Sequence, residues 1–579
     1  GVLLTDWHVP INTYDAAMNG LDIEMGTDKP YNEFFLTDPL KAMVEQGRVP
    51  QSVIDDKVRR ILRLQISIGM MDPYRYAGQR NSAEHRAAAL QIAHEGITLL
   101  KNSQGVLPLD RSKMKNVLMI GPNVHREHAM GGGSSQVKAL YETTPYQGVA
   151  EKLGEGVSIT TMSARGSSLS PIAGVYLATK HWTGTPTWEV DHYADAARSR
   201  HLSHSVISDS AYNVVKKGVP EHLTFKASIQ PLESGAHELK VDAAGVFQLE
   251  IDGSTVFDFD SDGPALKERT MELEAGRQYE FEIRYSGAGH FTLGWDAPSD
   301  LFTPEEEYLA AAREADAVIF VGGLSHDDDR EAVDRLNLKL PGGQDEVISK
   351  LLEANENTVI LLMGGSPVEM PWIDRASALV WGWYGGMEGG RAYADVLFGD
   401  VNPSGKLPIT MPVRLEDSAP IALDDYGPDV TRYPEGVFIG YRWYEKQGIE
   451  PLFPFGYGLS YTSFEYSDLE ISESNDAATA VNVTATITNT GDRAGSEVVQ
   501  LYLHDVEASV ERPLKELKGF VKVRLEAGES SRIEIPLTRR DLSFWDVTTN
   551  GWKAEPGQFE VMLGASVRDI RLEGGFTHR

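Results

Sequence analysis

Short runs of consecutive apolar residues recur in two stretches of this sequence, where they alternate with segments of helical spacing. The runs lie at residues 97–100, 117–120, 317–320, 359–362 and 380–381. A strand that is apolar on both faces must be covered on both faces, which is typical of a largely parallel sheet with helices on each side. The pattern predicts an α/β sandwich domain made of residues 73–173 and 299–425.

Between these two stretches, apolar and polar residues alternate strictly. The alternation is clearest over 237–241 and 246–251, and the turn pair Asp252-Gly253 follows it. A period of two predicts strands that bury one face, so residues 174–298 are predicted to form an inserted all-β module. The alternation returns over 481–487, 498–503 and 559–563, which predicts a C-terminal β-sandwich over 465–579 after a linker at 426–464.

The pattern of apolar residues over 1–72 differs from that of both regions described above. Residues 1–4 are apolar and lead into Thr5-Asp6-Trp7, as a buried strand of a β/α barrel delivers a catalytic side chain at its carboxyl end. Residues 21–25 form a further short strand in this interpretation, and the apolar spacing over 40–68 predicts a helix. Residues 1–72 are interpreted as the C-terminal part of a β/α (TIM-like) barrel. Because such a barrel has about eight strands, we expect a missing N-terminal barrel segment of the same protein, or another chain, to complete it.

Charge and composition restrict the partners. With 85 acidic against 54 basic residues, the formal net charge of -31 argues against nucleic acid, whose phosphates demand clustered Lys and Arg. The chain has no cysteine, which excludes disulfides and thiolate chemistry. No apolar run is long enough to span a bilayer, so no membrane partner is predicted. The compartment and the oligomeric state stay open, with the periplasm or the exterior favoured over the cytoplasm.

Several motifs in a fixed order carry a family resemblance across nearly the whole chain. They are Thr5-Asp6-Trp7, Asn19-Gly20-Leu21-Asp22-Ile23-Glu24-Met25, Trp383-Tyr384-Gly385-Gly386-Met387-Glu388-Gly389-Gly390, Asn402-Pro403-Ser404-Gly405-Lys406-Leu407-Pro408 and Pro454-Phe455-Gly456-Tyr457-Gly458-Leu459-Ser460-Tyr461. The set resembles glycoside hydrolase family 3. Within that resemblance, the inserted module is similar to the β-module named after anthrax protective antigen. The tail is similar to the fibronectin type III-like domain of many β-glucosidases in the family.

The resemblance implies a retaining glycosidase. Such an enzyme uses two carboxyl groups about 5 to 5.5 Å apart, one as nucleophile and the other as acid/base. Asp6 matches the family's nucleophile, and Trp7 matches the neighbour that stacks on the sugar. Glu331 matches the acid/base on a loop of the second domain, although Ala332 stands where the family commonly has Gly. No cofactor is implied. Judged from the residues alone, the alternatives are that Asp6 caps a helix and that the stretch 327–331 is a solvated acidic loop.

Other polar residues near these positions have open assignments. Asp22 and Glu24 either bind sugar hydroxyls or serve the packing of the barrel. Asp327, Asp328 and Asp329 are unassigned, except as neighbours that would raise the pKa of Glu331. Asp334 and Arg335 are predicted to pair and to brace the loop.

The remaining conspicuous residues receive structural interpretations. The run Gly131-Gly132-Gly133-Ser134-Ser135 lacks the Lys of a P-loop and is interpreted as a family loop that reaches toward the sugar. Trp381, Trp383 and Trp443 are predicted core residues. His8, His94 and His125 lack the spacing of a metal site.

The predicted function is that of an exo-acting β-glucosidase, which removes terminal non-reducing β-D-glucosyl residues from oligosaccharides or from aryl and alkyl β-glycosides. Specificity for β-xylosides or α-arabinofuranosides is the alternative within the family. A branch that acts on N-acetylglucosaminides with a His/Asp pair is disfavoured by Glu331 and by the second domain. The alternative from another class is a non-catalytic sugar-binding chain, and we expect no activity unless the rest of the barrel is supplied.

Overall fold

A computed structural model describes residues 1–6, 9, 12–26, 30–75, 78–128, 139–164, 169, 172, 176–179, 187–207, 210–213, 220–297, 302–326, 328–329, 335, 337–426, 430–473 and 479–579. The chain divides into two compact units, Gly1–Ser82 (unit 1) and Ala83–Arg579 (unit 2). Within those ranges, no helix is both long enough and apolar enough to cross a membrane.

Unit 1 contains helices packed around a small apolar core. They are α1 (Thr13–Met18), α2 (Asp38–Glu45) and α3 (Gln51–Ser67), and their shared core includes Ala17, Leu40 and Val49. The single helix predicted over 40–68 is therefore wrong. The chain leaves α2 through Gly47, whose φ of +70° cannot continue a helix, and Pro50 then precedes the first residue of α3.

The first residues of unit 1 run parallel to residues 21–25. Leu4 forms an isolated parallel bridge with Ile23, and the Thr5 N–H donates to the Ile23 carbonyl at 3.1 Å. The expected burial of this apolar segment is not observed, because Leu3 and Leu4 are 55% and 51% exposed. Among the described residues, only the segment around Ile23 pairs with this backbone, so much of its apolar surface has no cover.

Unit 2 begins with the first stretch of an α/β domain. Its elements are α4 (Ala83–Gly96), β1 (Thr98–Asn102), β2 (Asn116–Ile120), α5 (Pro145–Leu153) and β3 (Ser158–Met162). α5 has a reciprocal cap, in which the Thr144 side chain accepts from the Gln147 N–H while the Gln147 side chain accepts from the Thr144 N–H.

An antiparallel β-sheet follows in the region of alternating residues. Its strands are β4 (Trp188–Tyr193), β5 (His201–Ile207), β6 (Ala211–Asn213), β7 (Glu221–Ile229), β8 (Gly235–Ile251), β9 (Ser254–Leu273), β10 (Tyr279–Gly287) and β11 (His290–Asp296), in the order β5-β4-β7-β10-β8-β11-β6 with β9 on β8. Asp252 and Gly253 join β8 to β9 with φ values of +49° and +73°, as the turn pair predicted. Alternate residues of β8, among them Leu239 and Leu249, are fully buried.

The chain then completes the α/β domain. The elements are α6 (Glu305–Glu314), β12 (Ala317–Gly323), α7 (Gln344–Ala354), β13 (Thr358–Met363), β14 (Ala378–Trp381), α8 (Gly389–Leu397), α9 (Ala419–Ala422) and α10 (Tyr441–Gln447). The sheet has the order β1-β14-β13-β12-β2-β3, and all neighbouring strands are parallel except β1 and β14.

Helices cover both faces of this sheet, which explains why its strands are apolar throughout. In β12, Ile319 and Val321 pack in the core that also contains Val149 of α5, whereas Val318 and Phe320 pack on the opposite face with residues of α6 and α7. Each face therefore has its own core. The predicted combination of an α/β domain with β-rich regions is confirmed.

The C-terminal region contains two antiparallel sheets that share one core. The strands are β15 (Phe464–Glu473), β16 (Thr479–Asn489), β17 (Gly495–Asp505), β18 (Glu516–Leu525), β19 (Ser530–Thr538), β20 (Phe544–Asp546), β21 (Gly551–Lys553), β22 (Gly557–Gly564) and β23 (Ile570–His578). The sheets have the orders β15-β16-β19 and β18-β17-β22-β23, and β20 pairs with β21. Buried Val483, Leu501 and Val561 lie in the common core.

Candidate active site

In unit 1, Asp6 is an exposed residue directly after a segment that is hydrogen-bonded to residues 21–25. The Thr5 N–H donates to the Ile23 carbonyl, and the Thr5 hydroxyl accepts from the Met25 N–H at 2.9 Å. These bonds fix the residue before Asp6 beside the segment that contains Glu24. Trp7, the predicted stacking residue, lies outside the described residues.

The two acidic residues of the second segment differ in their surroundings. The Asp22 side chain is 1% exposed, and its carboxylate binds Arg60 with 2.8 Å between Oδ1 and Nη2. Glu24 is partly exposed, and its Oε2 accepts from the Leu36 N–H at 2.9 Å. The contacts of Asp22 favour the packing interpretation, whereas a role of Glu24 toward a sugar stays a prediction.

In unit 2, the connections that follow the parallel strands β2, β3, β12, β13 and β14 leave the same edge of the sheet. The carboxyl ends of parallel strands are the usual place of ligand sites in α/β domains. Glu331 belongs by sequence to the loop after β12, but residues 330–334 and Asp327 lie outside the described residues, as do Gly131 to Ser135. Asp328, Asp329 and Arg335 of the same loop are described.

The loop after β12 begins with a local turn. The carboxylate of Asp328 accepts from both the N–H and the hydroxyl of Ser325, at 2.9 and 2.8 Å. Asp329 faces the loop after β13, where its Oδ2 accepts from the Gly365 N–H at 2.6 Å and its Oδ1 lies 3.0 Å from the Ser366 hydroxyl. Asp328 and Asp329, which had no assignment from the sequence, thus both have structural partners. The Ser-x-x-Asp spacing was the available signal for the first of these contacts.

Arg335 binds the same loop after β13. Its Nη1 donates to the Ser366 hydroxyl at 3.1 Å and to the Pro367 carbonyl at 2.8 Å, and its Nη2 donates to the Lys339 carbonyl at 3.3 Å. Burial lowers the pKa of Arg335, while the negative charges of Asp329 and Asp328 oppose that shift. The predicted partner Asp334 lies outside the described residues.

Aromatic rings pack beside Asp329. The ring centroids of His326 and Tyr384 are 4.2 Å apart, and those of His128 and Tyr384 are 5.6 Å apart. The Tyr384 hydroxyl donates to Asp329 Oδ2 at 3.2 Å. Burial, followed by the negative charge of Asp329, raises the pKa of Tyr384, so the phenol remains protonated and can donate. Sequence reasoning missed Tyr384, because only the adjacent tryptophans were considered.

Trp381 and Trp443 are buried, at 0% and 6% exposure, as predicted. Trp383 is only partly buried and has a φ of +55°, a left-handed conformation that is rare for a bulky residue. Its indole N–H donates to the Gly96 carbonyl at 3.0 Å, which holds this unusual backbone in place next to Tyr384.

Across the ranges given above, no group of three or more His, Asp or Glu side chains could hold a metal ion. The His94 Nε2 forms a hydrogen bond with Asp395 Oδ2 at 2.9 Å, and the ring of His125 packs against Tyr146. His8 lies outside the described residues.

Comparisons with known proteins agree with the resemblance found in the motifs. Residues 97–461 match the C-terminal domain of glycosyl hydrolase family 3, and residues 497–567 match the fibronectin type III-like domain. A β-glucosidase of Rhizobium radiobacter is 33% identical over 600 residues, which cover 99% of this chain and 72% of that protein.

Solved structures agree over the same length. A β-glucosidase from Kluyveromyces marxianus, crystallised with glucose, superposes with a TM-score of 0.70 at 30% identity and covers 100% of this chain and 73% of its own. DesR, a β-glucosidase from Streptomyces venezuelae crystallised with D-glucose, gives a TM-score of 0.73 at 29% identity over 100% of this chain and 72% of its own. The chain therefore belongs to glycosyl hydrolase family 3 and contains a fibronectin type III-like domain.

Proposed function

We propose that this protein is a retaining, exo-acting β-glucosidase that hydrolyses terminal non-reducing β-D-glucosyl residues. The observation that carries the proposal is the 33% identity to a β-glucosidase over 99% of the chain. The substrates are oligosaccharides or aryl and alkyl β-glucosides, and no cofactor takes part. In this proposal, residues 1–72 belong to a β/α barrel and residues 174–298 form a sugar-associated module of the protective-antigen type.

Asp6 is the nucleophile in this proposal. Its carboxylate attacks the anomeric carbon, the bond to the leaving oxygen breaks, and a glycosyl ester forms on Asp6. Two observations support the assignment: Asp6 is exposed, and the hydrogen bonds of Thr5 to the segment around Ile23 hold the backbone before it. Trp7 stacks on the sugar, and Glu24 binds one of its hydroxyls.

Glu331 is the acid/base in this proposal. It protonates the leaving oxygen in the first step and takes a proton from the attacking water in the second. The support is its place in the sequence between Asp329 and Arg335, two described residues that both bind the loop after β13.

The test uses the full-length gene product that contains these residues and a panel of nitrophenyl glycosides. We expect release from the β-glucoside to exceed release from the β-xyloside and the α-arabinofuranoside. Preference for either pentoside would instead support the runner-up specificity. Lack of hydrolysis combined with measurable glucose binding would support a non-catalytic sugar-binding protein.

The nucleophile is tested by trapping. A 2-deoxy-2-fluoro-β-glucoside with a good leaving group should leave a label on the peptide that contains Asp6, because the fluorine slows hydrolysis of the ester. Asp6→Asn should lose about 10⁴-fold or more in kcat, since no covalent step remains. Asp55→Asn, on the exposed surface of α3 in the same unit, is the matched control and should retain activity. A label on any other carboxylate would refute the assignment.

A further inference from the structure

The four-stranded sheet of the fibronectin type III-like domain has apolar clusters on both of its faces. Its inner face packs in the common core of the β-sandwich. Its outer face contributes one residue from each strand to a second cluster, namely Leu517 of β18, Tyr502 of β17, Met562 of β22 and Ile570 of β23. A sheet that is apolar on both faces needs cover on both faces. The β-sandwich alone would leave this outer cluster in water.

The cover comes from residues that precede the domain in the sequence. Tyr441 of α10 and Phe455 pack on the outer cluster, and the ring centroids of Tyr441 and Tyr502 are 6.1 Å apart. The Leu517 N–H donates to the Tyr441 hydroxyl at 3.0 Å, and the Val567 N–H donates to the Phe455 carbonyl at 3.1 Å. The outer face of the sheet is therefore occupied by residues of the same chain.

A buried amide fixes this contact in one position. Gln500 of β17 is 3% exposed, and its Nε2 donates to the Gly456 carbonyl at 3.0 Å and to the Ala565 carbonyl at 2.8 Å. Its Oε1 accepts from the Tyr502 hydroxyl at 2.6 Å. A Cβ on Gly456 would overlap the Gln500 side chain, so a glycine is needed for the close approach. Separation of the two surfaces would break the bond to Gly456.

The motif at 402–408 binds the domain through a buried ion pair. Lys406 Nζ lies 3.1 Å from Glu497 Oε1 of β17, and these side chains are 12% and 7% exposed. Lys406 also donates to the Gly458 carbonyl at 2.8 Å, and Asn402 donates through Nδ2 to the Ala494 carbonyl at 3.0 Å. Removal of one partner from a buried ion pair is costly, because the other charge is left uncompensated. The motifs 402–408 and 454–461 thus form a joint with the fibronectin type III-like domain.

The joint is also bound to β1, which stands at one edge of the α/β sheet. The Gly405 N–H donates to the Ile97 carbonyl at 3.1 Å, and the Leu459 N–H donates to the Leu99 carbonyl at 2.8 Å. A Cβ on Gly405 would overlap the Ile97 carbonyl. Because an edge strand presents backbone groups that need partners, the joint completes the hydrogen bonding of β1. Backbone contacts therefore connect the fibronectin type III-like domain to the α/β sheet.

We propose that the fibronectin type III-like domain is an internal support of the α/β domain, and that the two domains unfold as one cooperative unit. The interaction surface is the outer face of the sheet β18-β17-β22-β23, and its partner is residues 441–461 of the same chain. This surface is consequently not available to a sugar or to another protein. The proposal is independent of the proposed function, and it gives a role to two motifs that the candidate active site does not use.

Native-state hydrogen exchange of the full-length protein tests the coupling. Ile487 of β16 is fully buried in the core of the β-sandwich. We expect Ile487→Ala to accelerate amide exchange in β16 by about 30-fold or more, and to accelerate exchange in β13 of the α/β domain by the same factor. Ile487→Val should give a common acceleration of about 2- to 10-fold, so the test remains valid if the alanine variant does not fold. Acceleration confined to the fibronectin type III-like domain would refute the proposal.

Tyr441→Ala tests the joint itself, because Tyr441 belongs to neither β-sheet. We expect it to accelerate amide exchange in β13 and β17 together, by about 10-fold or more. Tyr441→Phe, which loses only the hydroxyl that binds Leu517, should accelerate both by about 3-fold. Tyr433→Ala is the matched control, since this side chain is 68% exposed, and it should leave exchange in both strands unchanged. Unchanged exchange in either strand of folded Tyr441→Ala would show that this domain is stable without the joint, and would refute the proposal.

Discussion

Asp22 and Arg60 form an ion pair inside unit 1, with 2.8 Å between Oδ1 and Nη2. The other carboxylate oxygen of Asp22 accepts from the Leu3 N–H at 3.0 Å. Burial by itself would raise the pKa of Asp22. The hydrogen bonds from Arg60 and Leu3, with the charges of Arg60 and Lys57, outweigh it and hold the pKa below its usual value. Asp22 is thus an ionised brace between the first segment and α3.

We expect Asp22→Asn to destabilise the protein by about 1 to 3 kcal/mol, because an amide cannot satisfy all the donors that the carboxylate binds. Chemical unfolding of the full-length protein measures the change. Asp56→Asn is the control, since Asp56 contacts the same Arg60 with a side chain that is 56% exposed, and pairs of that kind contribute little. Equal effects of the two variants would contradict the role of Asp22 as a brace.

The packing of α5 on α8 depends on two glycines. A Cβ placed on Gly148 would overlap the carbonyl oxygen of Gly390, and a Cβ on Gly390 would overlap the carbonyl of Thr144. We expect Gly148→Ala to destabilise the protein by about 2 kcal/mol or more, because the helices must move apart. In the control Gly156→Ala, the new methyl group meets open space, so differential scanning calorimetry should find an unchanged or slightly higher Tm. A stable Gly148→Ala protein would show that the two helices adjust freely.

The sequence predicted those parts of the fold that are set by local pattern. The apolar run at 317–320 lies in β12, and Asp252-Gly253 forms the expected hairpin turn. Burial was predicted less well, because it depends on what lies across from a segment. Leu3 and Leu4 look like core residues in the sequence, yet each is about half exposed.

In the candidate site, too, local motifs were recognised from the sequence, whereas contacts between distant residues were not. A motif of consecutive residues identified Asp6 and Glu331 as candidates. Ser366 was missed, because its partner Asp329 is 37 residues away and follows a different strand. Only the strand order, with β13 next to β12, makes these two loops neighbours. The single helix predicted over 40–68 was wrong for a local reason. Gly47 has a positive φ that cannot continue a helix, although the residues around it have helical apolar spacing.

The fibronectin type III-like domain contains a buried charge network that should be sensitive to acid. Arg512 lies 2.9 Å from Asp505 and 2.8 Å from Glu516, and Lys518 lies 2.9 Å from the second oxygen of Glu516. Burial opposes ionisation of Glu516, but Lys518 and Arg512 outweigh it and lower its pKa below the usual 4.5. The ionised Glu516 therefore stabilises the fold above about pH 4.5, and this stabilisation is lost as the pH falls through the lowered pKa of Glu516.

We expect Glu516→Gln to lower the Tm at pH 7 and to approach the wild-type Tm as the pH falls below about 4. Glu526→Gln, at a side chain that is 71% exposed in the same domain, should show no such pH-dependent difference. Melting curves of the three proteins between pH 7 and pH 3 provide the measurement. A Tm difference for Glu516→Gln that stays constant over this range would mean that the glutamate is not a source of acid sensitivity.

His128 should also make the protein less stable in acid, but at a higher pH than Glu516 does. Its side chain is buried under the rings of His326 and Tyr384, and burial, followed by the positive charges of Arg126 and His326, lowers its pKa from 6.5 to about 3. The unfolded chain binds a proton at His128 below about pH 6.5, whereas the folded chain does not. The free energy of unfolding therefore falls by up to about 1.4 kcal/mol for each pH unit below that value.

Removal of the His128 imidazole should make the free energy of unfolding depend less strongly on pH below about pH 6.5. We expect the free energy of unfolding of His128→Asn to fall less steeply between pH 6.5 and pH 4.5 than that of the wild type, whatever its value at pH 7. His85→Asn, at an exposed position of α4, should retain the wild-type slope. Urea titrations at four pH values in this range give the slopes. Parallel slopes for His128→Asn and the wild type would mean that the folded protein protonates His128 as readily as the unfolded chain does, which is incompatible with its burial beneath Tyr384 and His326.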